Sequence, residues 1–135
     1  QQEPLAMPDF SGRRILVVED NELNREIAEE ILRCMDTEVE SACDGARGLA
    51  MFEESAVGHY DAVLMDVQMP VMNGYQATKA IRQLSRPDAG TVPIIAMTAD
   101  AFAEDVAAAK AAGMTAHLAK PLDIPAMMQI LSKYL

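Results

Sequence analysis

Four short apolar runs in this 135-residue chain end in residues that can do chemistry. Ile15-Leu16-Val17-Val18 leads into Glu19-Asp20, and Ala62-Val63-Leu64-Met65 leads into Asp66. Val92 to Met97 ends at Thr98, and Thr115 to Ala119 ends at Lys120. A charge directly behind four buried apolar residues, as at Asp66, is rarely placed for packing alone. If the runs are adjacent strands, three carboxylates, a hydroxyl and an ammonium share one edge. Two unit charges about 4 Å apart repel by about 4 kcal/mol at an effective dielectric near 20. Either one carboxyl keeps its proton or a cation lies between them. An all-oxygen cluster with a solvent-open side suits Mg²⁺, which keeps several waters and takes one or two carboxylates. Lys120 and Thr98 are then placed to hold an anion beside that ion. This is the equipment of phosphoryl transfer, where positioning and charge neutralisation do most of the catalysis. The carboxylate can itself be the nucleophile and form an aspartyl phosphate.

Taken singly, these residues have plainer readings. Asp20 can be the N-cap of a helix. Thr98 can bond local backbone at a strand end, Lys120 can be a solvated loop lysine, and His117 can be a satisfied, half-buried imidazole. Met65, Met69, Met72, Met97, Met114, Met127 and Met128 read as core filler. The joint placement of four complementary strand ends is what favours chemistry.

The elements that must position these groups alternate along the chain. Asp20 or Asn21 starts a helix whose Leu23, Ile27 and Ile31 recur every four residues, with Ala28, Leu32 and Met35 beside them. Thr37 to Cys43 is a weaker, half-exposed strand expected at the sheet margin. Asp44 caps a second helix carrying Ala46, Leu49, Ala50 and Phe52. The third helix carries Ala77, Ile81 and Leu84 and breaks at Arg86-Pro87-Asp88-Ala89-Gly90. Ala101 to Ala112 is an Ala-rich helix with Phe102 and Val106 as its large apolar groups, ended by Gly113. Asp123 caps the last helix, with Met127, Ile130, Leu131 and Tyr134 inward. Five strands alternating with five helices predict a doubly wound α/β domain of three layers with a parallel sheet. Ligands in such sheets bind outside the carboxyl ends of the strands. Residues 1–11, with Pro4 and Pro8, read as a linker ahead of one domain over 12–135.

Composition removes several classes of function. Lys+Arg number 11 against 21 Asp+Glu, a net charge of −10. That excludes binding to nucleic acid or anionic lipid through phosphates. No apolar stretch approaches a membrane span. Cys34 and Cys43 are too few for a disulfide framework and lack partners at metal-ligand spacing, so a reduced cytoplasmic setting is expected.

The motifs resemble the receiver domain of two-component response regulators. Ile15-Leu16-Val17-Val18-Glu19-Asp20-Asn21 looks like its first strand and acidic pair, and Met65-Asp66-Val67-Gln68-Met69-Pro70 with Gly74 like its phosphoacceptor strand and loop. Ile94-Ile95-Ala96-Met97-Thr98-Ala99 resembles the switch strand and Lys120-Pro121 the lysine-proline pair. Asp20, Asp66, Thr98 and Lys120 are separated by 46, 32 and 22 residues, usual spacings in that family. Asn24, the run Val71-Met72-Asn73-Gly74 and Phe102 bring the likeness closer to receivers attached to hybrid sensor histidine kinases. A start at Gln1, a Pro-containing leader and an end after the last helix suit an excised C-terminal module.

The resemblance implies a flavodoxin-like five-stranded sheet in the order 2-1-3-4-5. It implies that Asp66 accepts a phosphoryl group from a phosphohistidine on a histidine kinase domain or a histidine phosphotransfer protein. Mg²⁺ would be held by Asp20, Asp66 and the backbone carbonyl of Gln68, with Glu19 acting through a metal-bound water. Thr98 and Lys120 would grip the phosphoryl oxygens, and the bond before Pro121 would be cis. Autodephosphorylation would be self-catalysed, with Gln68 and Asp100 at the tuning positions. Partners would dock on the first helix, and a homodimer would form through the fourth helix, fifth strand and fifth helix. The setting would be cytoplasmic, free or as part of a membrane-bound sensor kinase. His117 stands where many receivers carry the aromatic half of the switch, and the resemblance assigns it, with Thr98, to that switch. Two other readings remain: an aspartyl-phosphate phosphatase, which usually carries a second Asp where Gln68 stands, and an interaction-only domain that takes no phosphate.

Overall fold

Runs of β-branched and apolar residues without polar alternation are stable only when covered on both faces, which a parallel sheet between helix layers provides. The computed structural model describes residues 12–134 apart from 68, 70, 71, 99–102 and 121, and has that form. In chain order the elements are β1 (Arg14–Val18), α1 (Glu22–Arg33), β2 (Glu38–Ala42), α2 (Gly45–Glu54) and β3 (Ala62–Asp66). They continue with α3 (Gly74–Arg82), β4 (Ile94–Thr98), α4 (Ala103–Ala112), β5 (Ala116–Ala119) and α5 (Ile124–Tyr134). The five strands form one parallel sheet in the order β2-β1-β3-β4-β5. The leader 1–11, Gln68, Asp100, Phe102, Pro121 and the side chain of Val106 lie outside what is described.

Alternation along the strands divides the core in two. Ile15, Val17, Leu64, Ile95, Met97 and Leu118 face α1 and α5, meeting Ala28, Leu32, Met127 and Leu131. Leu16, Val18, Val63, Met65, Ile94 and Ala96 face the other way, against Phe52, Ala77, Ile81 and Ala109 of α2, α3 and α4. The methionines behave as filler: Met65, Met97 and Met127 are wholly buried, Met69 and Met114 nearly so, and Met72 and Met128 pack against the clusters. β2 is the half-exposed margin strand, as expected.

Several helix faces differ from the periodic reading. Asn21, not Asp20, is the N-cap of α1; its Oδ1 accepts from the Asn24 N–H at 3.0 Å. The inward face of α1 is Ala28, Ile31 and Leu32, while Leu23 is 65% exposed and Ile27 39%. The four-residue recurrence therefore joins two different surfaces, because a spacing of four drifts around a helix of 3.6 residues per turn. In α2 the buried positions are Gly45, Gly48 and Phe52, with Ala46 exposed, because the helix lies close on β1. A Cβ on Gly48 would stand 2.7 Å from Val18 Cγ2. In α5, Met127 and Leu131 are buried, and Ile130 and Tyr134 only partly so.

Two arginines near the end of α3 hold neighbouring elements. The last carbonyls of a helix have no partners within it. Arg86 donates Nη1–H to Phe52 O at 2.7 Å and to Ser55 O at 2.9 Å, and Nη2–H to Ala56 O at 2.8 Å, closing the end of α2. Its guanidinium lies 4.7 Å from the Phe52 ring centre and pairs with both oxygens of Asp88, at 2.6 and 3.0 Å. Arg82 donates to Gly113 O, Ala89 O and Val92 O, tying the end of α4 to the approach to β4. At the amino-terminal edge of the sheet, Arg14 pairs with Glu38 and Glu40, and Glu40 also accepts from the Tyr60 hydroxyl at 2.7 Å.

Arg86→Met leaves the Ser55 carbonyl without its donor and takes one donor each from Phe52 O and Ala56 O, which keep the Ser55 and His59 N–H groups, and is expected to cost about 2 kcal/mol in urea denaturation. Arg86→Lys is expected to recover only part, since an ammonium cannot reproduce the planar fork. The hydrogen bonds from Arg86 hold the Asp88 carboxyl below the usual carboxylate range. That contribution is present above the ordinary carboxylate pKa and lost as pH falls through the lower folded value. Asp88→Asn is therefore expected to flatten the acid limb of the stability curve.

Candidate functional site

Register places the reactive groups side by side before any side chain is considered. Val18 pairs with Met65, so Glu19 and Asp66 extend their strands by one residue at the same level. Asp66 pairs with Met97, one residue before Thr98, and Thr98 pairs with Ala119, one residue before Lys120. Alternation then assigns faces. Glu19, Asp66 and Lys120 fall in phase with Val17, Leu64 and Leu118, on the α1 and α5 side. Thr98 falls in phase with Ala96, on the side of α3 and α4. The strand order reverses between β1 and β3, which is where doubly wound sheets open a crevice at their carboxyl ends.

The side chains converge there. Lys120 Nζ lies 2.8 Å from Glu19 Oε1 and 3.1 Å from Asp66 Oδ1. Glu19 is 1% exposed and Asp66 3%, while Asp20 beside them is exposed. Burial, then the hydrogen bond and charge of Glu19, push the Asp66 carboxyl up to about 7, against the opposing pull of Lys120. Burial works against Glu19 as well, but its contacts with Asp66, Lys120 and the Asn21 N–H outweigh that and hold it below the usual value. Burial likewise opposes the Lys120 ammonium, and the two carboxylates more than compensate, raising its pKa. One ammonium thus stands against two buried carboxylates, and of the two it is Asp66 whose proton affinity is raised.

Local backbone geometry supports the cluster. The Asn21 N–H donates to Glu19 Oε2 at 3.2 Å, and the Glu19 N–H to Ala42 O at 3.1 Å. Behind Asp66 the chain turns so tightly that the Gly74 N–H reaches Val67 O at 3.0 Å. A Cβ on Gly74 would sit 2.3 Å from Asp66 O and 2.9 Å from Val67 Cα, so only glycine lets α3 start here. Asn73 and Gln76 form a reciprocal capping box at that helix start.

Glu19, Asp20 and Asp66 each offer a carboxylate oxygen within 4.8 Å of the others. Glu19 Oε1 is buried without a hydrogen bond, its close cation being Lys120. Hard anionic oxygens in excess of cations, with one exposed member, fit a small divalent ion that retains water.

Residues 15–132 match the response regulator receiver domain. The chain belongs to the response regulator receiver family. This receiver is 37% identical over 122 residues to hybrid signal transduction histidine kinase L of Dictyostelium discoideum, covering 90% of this chain and 7% of that protein. It thus spans a small fraction of the curated relatives it matches. Among solved structures it resembles the receiver domain of sensor histidine kinase PA1611 from Pseudomonas aeruginosa PAO1, with a TM-score of 0.81, 38% identity, and 92% and 98% of the two chains covered. That structure has a magnesium ion coordinated in its active site cleft. It also resembles the receiver of Saccharomyces cerevisiae Ssk1, solved with the histidine phosphotransfer protein Ypd1, with a TM-score of 0.80, 26% identity, and 96% and 90% covered.

Of the residues singled out from the sequence, the receiver brings together Glu19, Asp20, Asp66 and Lys120. Thr98 ends the strand between Asp66 and Lys120 and is buried. Gln68 lies outside the described residues. His117 is half-buried on β5, paired with Ala96, three residues before Lys120. Sequence reasoning missed Arg25, whose Nη1–H donates to Glu19 O at 3.0 Å. Its position in the first turns of a helix, against the dipole, was the available signal.

A carboxyl whose folded pKa is raised stabilises the fold at low pH and loses that contribution as pH rises through the folded value. In chelator, stability is therefore expected to fall as pH rises from about 4 toward 7 at Asp66. Asp66→Asn is expected to remove that decline and to melt higher than the unaltered receiver at pH 8, as thermal unfolding with and without the substitution would test.

Proposed function

We propose that this chain is the phosphoacceptor module of a phosphorelay. In this reading Asp66 takes a phosphoryl group from a phosphohistidine on a kinase or phosphotransfer domain. The observation that carries the reading is the buried Asp66 held between Glu19 and Lys120 at the strand-order reversal. An oxygen of Asp66 attacks phosphorus as the donor's P–N bond breaks. The imidazole leaves with the bonding pair, as a neutral ring when its other nitrogen already carries a proton. Lys120 neutralises the developing charge, and its ammonium opposes the proton that burial would leave on the nucleophile. Glu19, Asp20 and Asp66, with the backbone carbonyl of Gln68, would hold Mg²⁺, Glu19 through a bound water. The ion supplies charge neutralisation for the carboxylates and the incoming phosphoryl oxygens.

Thr98 lies on the opposite face from Lys120, toward α3 and α4, so a phosphoryl group that recruits its hydroxyl pulls the β4–α4 connection. α4 is weakly anchored, burying only Ala109 and Ala112 among its described side chains, and so suits a movable element. His117 would take the place of the family's aromatic switch residue. The face of α4, β5 and α5 is the proposed output or dimer surface. The exposed Leu23 and Ile27 on α1, with an apolar hollow lined by Asn24, Ile27, Lys120 and Leu122, form the proposed docking surface for a histidine-bearing helix bundle. Similarity to hybrid kinases supports a receiver within such a kinase, working at the cytoplasmic side of a membrane-bound sensor. Among the described residues no helix is long and apolar enough to cross a membrane.

Incubation with a small acyl phosphate and Mg²⁺, read by intact mass, is expected to add one phosphoryl group. The gain should vanish with chelator or in Asp66→Asn; absence of any adduct, even from a phosphorylated histidine domain, would overturn the reading. Ile27→Glu is expected to slow transfer from a histidine domain by about tenfold, the effect of losing a buried interface contact of about 1.4 kcal/mol, while sparing the small donor. Parallel time courses with the two donors would separate these effects.

A further inference from the structure

The carboxylate of Asp20 reaches the acidic cluster without any hydrogen bond or ion pair to its side chain among the described residues. Its aim therefore depends on the backbone that carries it. That backbone is the short turn between the last sheet hydrogen bond of β1, from Glu19 N–H to Ala42 O, and the Asn21 N-cap of α1. The Glu19 carbonyl belongs to the same rigid peptide plane as the Asp20 N–H. Holding that oxygen sets the tilt of the plane and the position of Asp20 Cα.

Arg25 holds it. Its backbone N–H donates to Asn21 O at 2.9 Å and its Nη1–H to Glu19 O at 3.0 Å, so one residue spans the turn at both ends. Arg25 forms no ion pair among the described residues despite the acidic groups around it, so charge pairing does not explain its place. Its cation also stands in the first turns of α1, where the helix dipole opposes it. We propose that Arg25 is a positioning residue: by gripping the Glu19 carbonyl it presents Asp20 to the divalent ion. This rests on the Mg²⁺-dependent reading of the site.

The test is a calorimetric Mg²⁺ titration of the unaltered chain, Arg25→Met and Arg25→Lys, with thermal melts as fold controls and amide NMR shifts of Asp20 and Asn21 recorded in each. Arg25→Met is expected to bind Mg²⁺ about tenfold more weakly, in line with other groups that orient metal ligands, and to shift both amides. Arg25→Lys is expected to fall between the two, since a flexible ammonium can reach a carbonyl but does not fix it. Simple electrostatics predicts the reverse: removing a cation tightens Mg²⁺ binding, and lysine leaves it unchanged. Arg25→Met binding as tightly as the unaltered chain, or more tightly, overturns the positioning role alone. An unaltered chain that binds no Mg²⁺ overturns the functional reading with it. If Arg25→Met does not fold, Arg25→Lys decides: weaker binding supports the role and unchanged affinity overturns it.

Discussion

Glu19 and Asp66 sit side by side out of water with one ammonium between them, and most of the remaining architecture exists to hold that arrangement. Burial and the neighbouring carboxylate raise the proton affinity of Asp66, and the lone lysine offsets only part of this, while Glu19 is held below its usual value. The site is thus electrostatically unbalanced, with the Asp66 carboxyl pushed up to about 7. In the proposed reading a divalent ion and a phosphoryl group, carrying opposite charge, complete it in turn. That imbalance favours binding at the expense of stability, the usual compromise where a site must respond to ligands.

The sheet order makes the arrangement possible. β1 and β3 are neighbours although β2 lies between them in the chain, so two carboxylates 47 residues apart reach the same level. Close helix approach is equally necessary. The glycine at 74 lets α3 begin against the Asp66 carbonyl, and the glycine at 48 lets α2 lie on Val18. Neither contact tolerates a Cβ, so the chain follows one path behind Asp66.

Arginine serves a recurring purpose here. Arg86, Arg82 and Arg25 each donate to main-chain carbonyls just outside the regular elements, after α2, after α4 and after β1. The guanidinium is suited to this because several donors lie in one plane and remain charged when half-buried. Arg82, whose charge burial opposes, anchors the far end of α4.

How much of this could be read from residues alone follows from the range of each interaction. Element type and order were legible because they depend on local period: the apolar runs became β1, β3 and β4, and the capping residues Asp44 and Asp123 lie where expected. The acidic pair, Asp66 and Lys120 were legible because strand ends in a parallel sheet share an edge. The inward face of α1 was not, since Leu23 and Ile27 have the same local pattern as Ile31, and only packing against α5 and the sheet decides which are covered. Nor were the roles of Arg25, Arg82 and Arg86, because a carbonyl left unpaired by one element and met by a side chain from another leaves no local signature. The sequence by itself determined which carboxylates, hydroxyl and ammonium the chain carries and on which strand ends they fall. Tertiary structure alone decided the side of the sheet each group faces, which carboxyl gains proton affinity and which backbone turns are held, because burial and distance exist only once the strands are paired.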